Sequence, residues 1–147
     1  MADELRVIMV DDEQPARRLL REYLEGTPNV SIVAECGNGF EAVKAVAEHD
    51  PDLMLLDIQM PKLDGFEVLE LLDERPSVIF VTAYDQYALR AFEVHALDYL
   101  LKPFAPERLA ECLGRVKTPV PASPVLELAY VPSVADIETA IREVAAY

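Results

Sequence analysis

Five short runs of apolar residues recur along the chain, and polar or turn-forming residues follow each of them. The runs fall at residues 5–10, 30–36, 52–57, 78–82 and 96–101. Unbroken apolar runs of this length are typical of parallel strands that are covered on both faces of a sheet. The sequence therefore predicts five buried strands.

Between these runs, apolar residues recur at helical spacing. Helices are predicted from Pro15 to the turn at Gly26 and over residues 40–48, 66–73, 85–94 and 106–116. In the second helix, Phe40, Val43 and Ala47 are expected to face the core. Strands that alternate with helices favour right-handed parallel crossovers, so the pattern predicts a doubly wound α/β domain with a five-stranded parallel sheet.

Composition narrows the range of functions. The 147 residues include 27 acidic and 13 basic side chains, for a net charge of −14. This balance disfavours a broad nucleic-acid surface, which needs clustered Lys and Arg, and it is compatible with binding a divalent cation. Cys36 and Cys112 lack metal-binding spacing and are expected to be buried thiols in a reducing cytosol. No secretion signal or membrane-length apolar run is recognisable, so a cytoplasmic protein without membrane contact is expected.

A proline-rich stretch, Lys-Thr-Pro-Val-Pro-Ala-Ser-Pro at residues 117–124, divides the chain. Its composition is typical of a semi-extended linker. We therefore predict a domain over residues 1–117, followed by a linker and short tail over 118–147. The tail carries an apolar stripe at helical spacing but is too short for a core of its own. It would pack on the domain, pair with a second chain or begin an output domain.

Polar groups suited to chemistry stand at the ends of four predicted strands. Asp11 and Asp12 follow the first strand, Asp57 ends the third, Thr82 ends the fourth and Lys102 follows the fifth. Open α/β sheets bind ligands at the carboxyl edge of their strands, so these groups are expected to meet. Crowded carboxylates favour a cation, and hard oxygen ligands suit Mg²⁺, with Mn²⁺ as the alternative. With a lysine and a hydroxyl to bind phosphoryl oxygens, Asp57 is the predicted nucleophile.

Five motifs surround these positions: Val10-Asp11-Asp12-Glu13, residues 55–61 (Leu-Leu-Asp-Ile-Gln-Met-Pro), Asp64-Gly65, Val81-Thr82-Ala83 and residues 98–104 (Asp-Tyr-Leu-Leu-Lys-Pro-Phe). Together they resemble the receiver domain of two-component response regulators, over residues 5–117. The resemblance implies a flavodoxin-like fold with strand order 2-1-3-4-5. Residues 80–104 are most similar to receivers attached to LytTR-type DNA-binding domains. No LytTR-like domain follows, so this chain is not expected to bind nucleic acid directly.

The resemblance implies a role for each residue of the acidic motifs. Asp57 would be the phosphoacceptor, charged from the phosphohistidine of a sensor histidine kinase. It would also ligate Mg²⁺, which Asp12 would hold directly and Asp11 mostly through water. The backbone carbonyl of Gln59 would add a further ligand. The chain would then be a phosphoacceptor with at most weak autophosphatase activity, rather than an enzyme.

The resemblance also implies a switch at the fourth and fifth strands. Lys102 would bridge the phosphoryl group and Asp57, and its bond to Pro103 is often cis in the family. Thr82 would turn toward the phosphoryl group, and Tyr99 would follow inward. Gln59 and Tyr84 occupy positions that tune loss of the phosphoryl group to water.

The expected output is a signalling one, with several alternatives. Phosphorylation would reshape the face of the fourth helix, fifth strand and fifth helix, which would control a homodimer or an output partner in transcriptional regulation. Tyr84, Tyr87, Leu89 and Phe92 would either pack the fourth helix or form its exposed apolar face. A phosphorylation-independent scaffold is the main alternative. A dehalogenase-like phosphatase is disfavoured because Gln59 stands where that class has a second Asp. A flavin protein is disfavoured because the first loop is acidic.

Overall fold

The computed structural model describes residues 4–117, so the predictions for residues 118–147 lie outside the described residues. Strands and helices alternate throughout. The strands are β1 (Leu5–Val10), β2 (Val30–Cys36), β3 (Leu53–Leu56), β4 (Ser77–Thr82) and β5 (Asp98–Leu101). The helices are α1 (Gln14–Glu25), α2 (Gly39–His49), α3 (Gly65–Glu70), α4 (Ala88–Glu93) and α5 (Pro106–Lys117). Within residues 4–117, no helix combines the length and apolar character that crossing a membrane requires.

The five strands form one parallel sheet in the order β2-β1-β3-β4-β5. This arrangement confirms the predicted doubly wound fold. Val10 pairs with Leu56, and Leu56 pairs with Phe80, so β1, β3 and β4 end at the same edge. Thr82 pairs with Leu101 on the other side of β4. The residues that follow each strand are thereby gathered in one place.

The core consists of two apolar clusters, one on each face of the sheet. Successive side chains of a strand point to opposite faces, so β3 supplies Met54 and Leu56 to one cluster and Leu53 and Leu55 to the other. All four side chains are fully buried. Helices α2, α3 and α4 cover the first cluster, and α1 and α5 cover the second. A strand covered on both faces explains why its sequence is continuously apolar.

The predicted inner face of α2 is largely wrong. Phe40 is 58% exposed and Ala47 is also exposed, whereas Ala42, Ala45 and Val46 are buried. The Asn38 side chain caps the helix by accepting a hydrogen bond from the Glu41 amide at 2.8 Å. The helix therefore begins at residue 39, and its residues at i, i+3 and i+4 from Ala42 face the sheet.

Helices α3 and α4 are shorter than the sequence predicts. A capping box at Asp64 and Glu67 sets the start of α3, which ends at Glu70. Helix α4 begins at Ala88 rather than residue 85, and the Tyr84 carbonyl before it accepts a hydrogen bond from the Tyr99 hydroxyl. In α3, this local cap sets where the helix begins.

Strand β5 is tied to α5 through Asp98. This carboxylate accepts hydrogen bonds from the Cys112 thiol at 3.0 Å and from Arg108, and it also pairs with Arg115. Burial raises the pKa of the Cys112 thiol, and the neighbouring Asp98 charge raises it further. Cys112 and Cys36 are both buried and unbridged, as the sequence predicts.

Candidate functional site

Asp57 stands directly after β3, at the carboxyl edge of the sheet. Its backbone N–H donates to the Val10 carbonyl at 2.9 Å, which extends the pairing of β3 with β1 by one residue. The Ile58 amide donates to Asp57 Oδ1 at 2.7 Å. Only 7% of Asp57 is exposed. The carboxylate is therefore fixed by backbone contacts and is accessible only at its outer edge.

Two further carboxylates from the β1–α1 loop join Asp57. Oxygen atoms of Asp11, Asp12 and Asp57 lie within 4.8 Å of one another. Asp11 is buried and accepts a hydrogen bond from the Glu13 amide at 2.9 Å, whereas Asp12 is exposed. Three clustered carboxylate oxygens with an open, exposed member fit a hard divalent cation such as Mg²⁺, which keeps several of its waters when bound.

Lys102 lies beside two of these carboxylates. Its Nζ atom donates to Asp11 Oδ2 at 2.7 Å and lies 3.6 Å from Asp57 Oδ2. Its backbone N–H donates to the Thr82 carbonyl at 2.8 Å, and its bond to Pro103 is cis. Partial burial acts to lower the pKa of Lys102, but the hydrogen bond to Asp11 and the negative charges of Asp57 and Asp11 raise the pKa overall. Lys102 is therefore a permanent positive charge at the site.

The pKa of Asp57 is raised to about 6, and burial of its carboxylate is the main cause. The Lys102 charge lowers the pKa of Asp57, and the Asp11 charge raises it. Hydrogen bonds from the Ile58 amide and the Thr82 hydroxyl lower it further. A carboxylate in this setting holds its negative charge against a desolvation cost, and any added positive charge favours the ionised, nucleophilic form.

Thr82, Tyr84 and Tyr99 lie together at the end of β4. Thr82 is fully buried, and its Oγ1 accepts a hydrogen bond from the Tyr84 amide at 3.4 Å. The half-buried Tyr99 hydroxyl donates to the Tyr84 carbonyl oxygen. The Tyr99 ring packs against Phe80 with centroids 6.5 Å apart. Burial raises the pKa of Tyr99, so its hydroxyl remains protonated.

One contact of the site was not foreseen from the sequence. Gln59, an exposed residue two positions after Asp57, donates from Nε2 to the Tyr87 hydroxyl at 2.8 Å. Sequence reasoning assigned Tyr87 only to packing or surface roles. The two residues belong to different loops, and no spacing rule relates a position after β3 to one after β4.

The doubly wound sheet, with an acidic cluster and a lysine at its carboxyl edge, defines the class of protein. Residues 7–114 match the family model for the response regulator receiver domain. The chain belongs to this family. Receiver domains in general are phosphoacceptors rather than true enzymes, bind Mg²⁺ at an acidic pocket and interact with histidine kinases.

Curated relatives extend the comparison. The chain is 54% identical over 114 residues to an uncharacterized response regulatory protein of Yersinia pestis, with 76% of this chain and 48% of the relative covered. It is 48% identical over 115 residues to the transcriptional regulatory protein BtsR of Salmonella typhi, with 77% and 48% covered. The chain thus spans about half the length of these relatives.

Among solved structures, the chain is similar to the receiver domain of AraT, a response regulator from Geobacillus stearothermophilus. The identity is 35% and the TM-score 0.68, with 77% of this chain and 92% of that chain covered. The response regulatory domain of mrkE from Klebsiella pneumoniae is 30% identical with a TM-score of 0.70, and the coverage is 76% and 94%. Both similarities cover nearly the whole of the solved domain.

Proposed function

We propose that this domain accepts a phosphoryl group on Asp57 from a sensor histidine kinase in a Mg²⁺-dependent reaction. The observation that carries this proposal is the position of the nearly buried Asp57 carboxylate. Its carboxylate oxygen lies within 4.8 Å of carboxylate oxygens of Asp11 and Asp12, and Asp57 Oδ2 lies 3.6 Å from Lys102 Nζ. Each of these groups has a use in transferring a phosphoryl group to a carboxylate.

In this reaction, an Asp57 carboxylate oxygen forms a bond to phosphorus. The bond from phosphorus to the ring nitrogen of the kinase phosphohistidine breaks, and its electron pair stays with that nitrogen. Lys102 and the Thr82 hydroxyl bind the phosphoryl oxygens and stabilise their charge. The residues that would hold Mg²⁺ are Asp11, Asp12, Asp57 and the backbone carbonyl of Gln59. When bound, the ion neutralises charge on the transferred group.

The response proposed for the domain starts at Thr82. Movement of its hydroxyl toward the phosphoryl group would release the contacts that the β4–α4 loop makes with Tyr99, and Tyr99 would turn inward. The adjoining α4–β5–α5 face would then change shape and control a homodimer or an output partner. In support, Leu89 and Phe92 are each 70% exposed and stand at i and i+3 on α4, and adjoining exposed apolar side chains are typical of interaction surfaces.

The output proposed for the whole protein is transcriptional regulation. Support comes from the name of the BtsR relative and from the similarity of residues 80–104 to receivers attached to LytTR-type domains. The receiver would occupy residues 1–117, and residues 118–147 would form the linker and tail. Direct contact with nucleic acid would belong to a different domain, since this chain carries a net charge of −14. Its place of action would be the cytoplasm, where sensor kinases present their phosphohistidine.

The test is chemical phosphorylation. The protein is incubated with MgCl₂ and acetyl phosphate, and its intact mass is measured, with Asp57→Asn as the matched control. We expect one phosphoryl adduct on the wild-type chain and none on the variant. A wild-type chain that stays unmodified, or equal labelling of Asp57→Asn, rejects the proposal. If partner binding also proved indifferent to beryllofluoride, a phosphoryl mimic, a phosphorylation-independent scaffold would be the better description.

A further inference from the structure

Two loops at the mouth of the site are joined by a single side-chain hydrogen bond. Gln59 Nε2, in the loop after β3, donates to the Tyr87 hydroxyl, in the loop after β4, at 2.8 Å. The bond joins residues 28 positions apart in the sequence. Gln59 directly follows Asp57 and Ile58 in the chain. The position of the Gln59 carboxamide therefore depends on Tyr87.

Tyr87 is itself held on two sides. Its ring packs against Phe66 with centroids 6.1 Å apart and meets Tyr84 edge-on at 6.3 Å. Aromatic packing of this kind restricts the ring, so the hydroxyl is presented to Gln59 at a fixed place.

The surroundings of this bond leave room for Gln59 to move. A solvent-open cavity of about 410 Å³ is lined by Gln59, Met60, Pro61, Asp64 and Tyr87. Since Gln59 is exposed, the hydrogen bond to Tyr87 rather than close packing keeps its carboxamide on the β4–α4 side of the site. Without that bond, the side chain is able to take other rotamers.

From this arrangement we infer that Tyr87 is a positioning residue that holds the Gln59 carboxamide away from attacking water and so prolongs the life of phosphorylated Asp57. The inference rests on the proposed function, because it concerns loss of the phosphoryl group from Asp57. In that hydrolysis, a water oxygen bonds to phosphorus and the bond from phosphorus to the Asp57 oxygen breaks. The electron pair returns to the carboxylate, and the water proton leaves with inorganic phosphate.

A released carboxamide would assist this reaction. Its carbonyl oxygen is able to accept from the attacking water while its amide donates to a phosphoryl oxygen, which orients the water. When Gln59 Nε2 donates to the Tyr87 hydroxyl, the amide group is engaged and the position of the carboxamide is restricted. Tyr87→Phe keeps the ring and its packing but removes the hydroxyl, so it isolates the hydrogen bond from the aromatic contacts.

The experiment measures how fast the phosphorylated chain loses its phosphoryl group after acetyl phosphate is removed, by intact mass over time in MgCl₂. Four proteins form a cycle: wild type, Tyr87→Phe, Gln59→Leu and the double variant. We expect Tyr87→Phe to shorten the half-life about two- to tenfold, the range that one net hydrogen bond commands. In the Gln59→Leu background, the same change is expected to leave the half-life unaltered.

Tyr23→Phe serves as the matched control, because the Tyr23 hydroxyl donates to the Phe104 carbonyl at 3.3 Å, outside the site. Its half-life is expected to equal that of the wild type. A half-life that Tyr87→Phe leaves unchanged or lengthens overturns the inference, and so does an equal effect in the presence and absence of Gln59. If the wild-type chain forms no adduct at all, the proposed function fails and this inference falls with it. An adduct with an unresponsive half-life removes the inference alone.

Discussion

Lys102 and Asp11 form the shortest ion pair of the acidic edge, with 2.7 Å between Nζ and Oδ2, while the Asp57 oxygen lies 3.6 Å from the same nitrogen. The lysine is therefore shared between a buried carboxylate and the proposed nucleophile. Desolvating two carboxylates without a positive neighbour would be costly, so the pair also contributes to folding at this edge. The same charge is in position to bind an oxygen of an incoming phosphoryl group.

Replacing Lys102 by Met should slow phosphorylation of Asp57 by about a hundredfold to a thousandfold, the usual cost of removing one group that stabilises charge in a transition state. The measurement is the rate at which acetyl phosphate labels the protein, followed by intact mass. Lys44→Met is the control, since Lys44 is exposed on α2 and its ion pair with Glu48 is 4.0 Å long. Equal rates for Lys102→Met and wild type would contradict the assigned role.

Magnesium should stabilise the folded chain. A ligand that binds only the native state at a hundredfold excess over its Kd adds about 2.7 kcal/mol to the free energy of unfolding. The melting temperature is therefore expected to rise when MgCl₂ replaces EDTA, and Asp12→Asn should abolish most of the rise. Asp73→Asn, which changes an exposed acid beyond α3, should retain it. An equal rise in both variants would mean that the ion binds elsewhere.

The raised pKa of Asp57 predicts how stability depends on pH in metal-free buffer. An unfolded aspartate titrates near 3.8, and the folded one near 6, so the folded state binds the proton more tightly between these values. Wild-type stability should therefore fall, relative to Asp57→Asn, as the pH rises from about 4 to 6. Across that window, the free energy of unfolding of the wild type is expected to fall by about 2 to 3 kcal/mol relative to that of Asp57→Asn. Denaturant unfolding in EDTA at pH 4.5 and 7.5 measures the difference.

Gly65 should tolerate no side chain. A Cβ atom there would lie 2.5 Å from the Asp57 carbonyl oxygen, and the Gly65 amide donates to the Ile58 carbonyl at 2.8 Å. Gly65→Ala is expected to lower the free energy of unfolding by about 1 to 3 kcal/mol and to slow phosphorylation, because it displaces the backbone that carries Asp57.

Gly114→Ala, in α5, is the matched comparison, since within residues 4–117 a Cβ built there has no atom within 4 Å apart from its chain neighbours and the helix's own backbone. This variant should gain about 0.5 to 1 kcal/mol, because alanine favours helix over glycine. Chemical denaturation of both variants, with labelling by acetyl phosphate, provides the measurements. A Gly65→Ala protein as stable and as readily labelled as the wild type would show that the loop adjusts without cost.

The sequence predicted the strands better than the helices, for physical reasons. The strand at Leu53–Leu56 is buried on both faces, so its apolar run is unambiguous. In α2, apolar residues lie on several sides of the helix, and packing in the core buries Ala42, Ala45 and Val46 rather than Phe40 and Ala47. The edge location of Asp57 followed from its place after a strand. The hydrogen bond between Gln59 and Tyr87 did not, because it depends on how two loops fold toward each other.

The attachment of Asp98 to α5 bears on how a signal would leave the domain. Asp98 faces the helix, while its neighbour Tyr99 packs toward the opposite layer of the sheet. With one residue of β5 anchored by two arginines and a thiol, we expect α5 and β5 to keep their relative position. A signal passed through Tyr99 would then involve a change in the rotamer of its side chain, while the backbone of β5 stays in place. A partner would meet a firm surface on α5 and an adaptable one on the tyrosine-rich loop next to it.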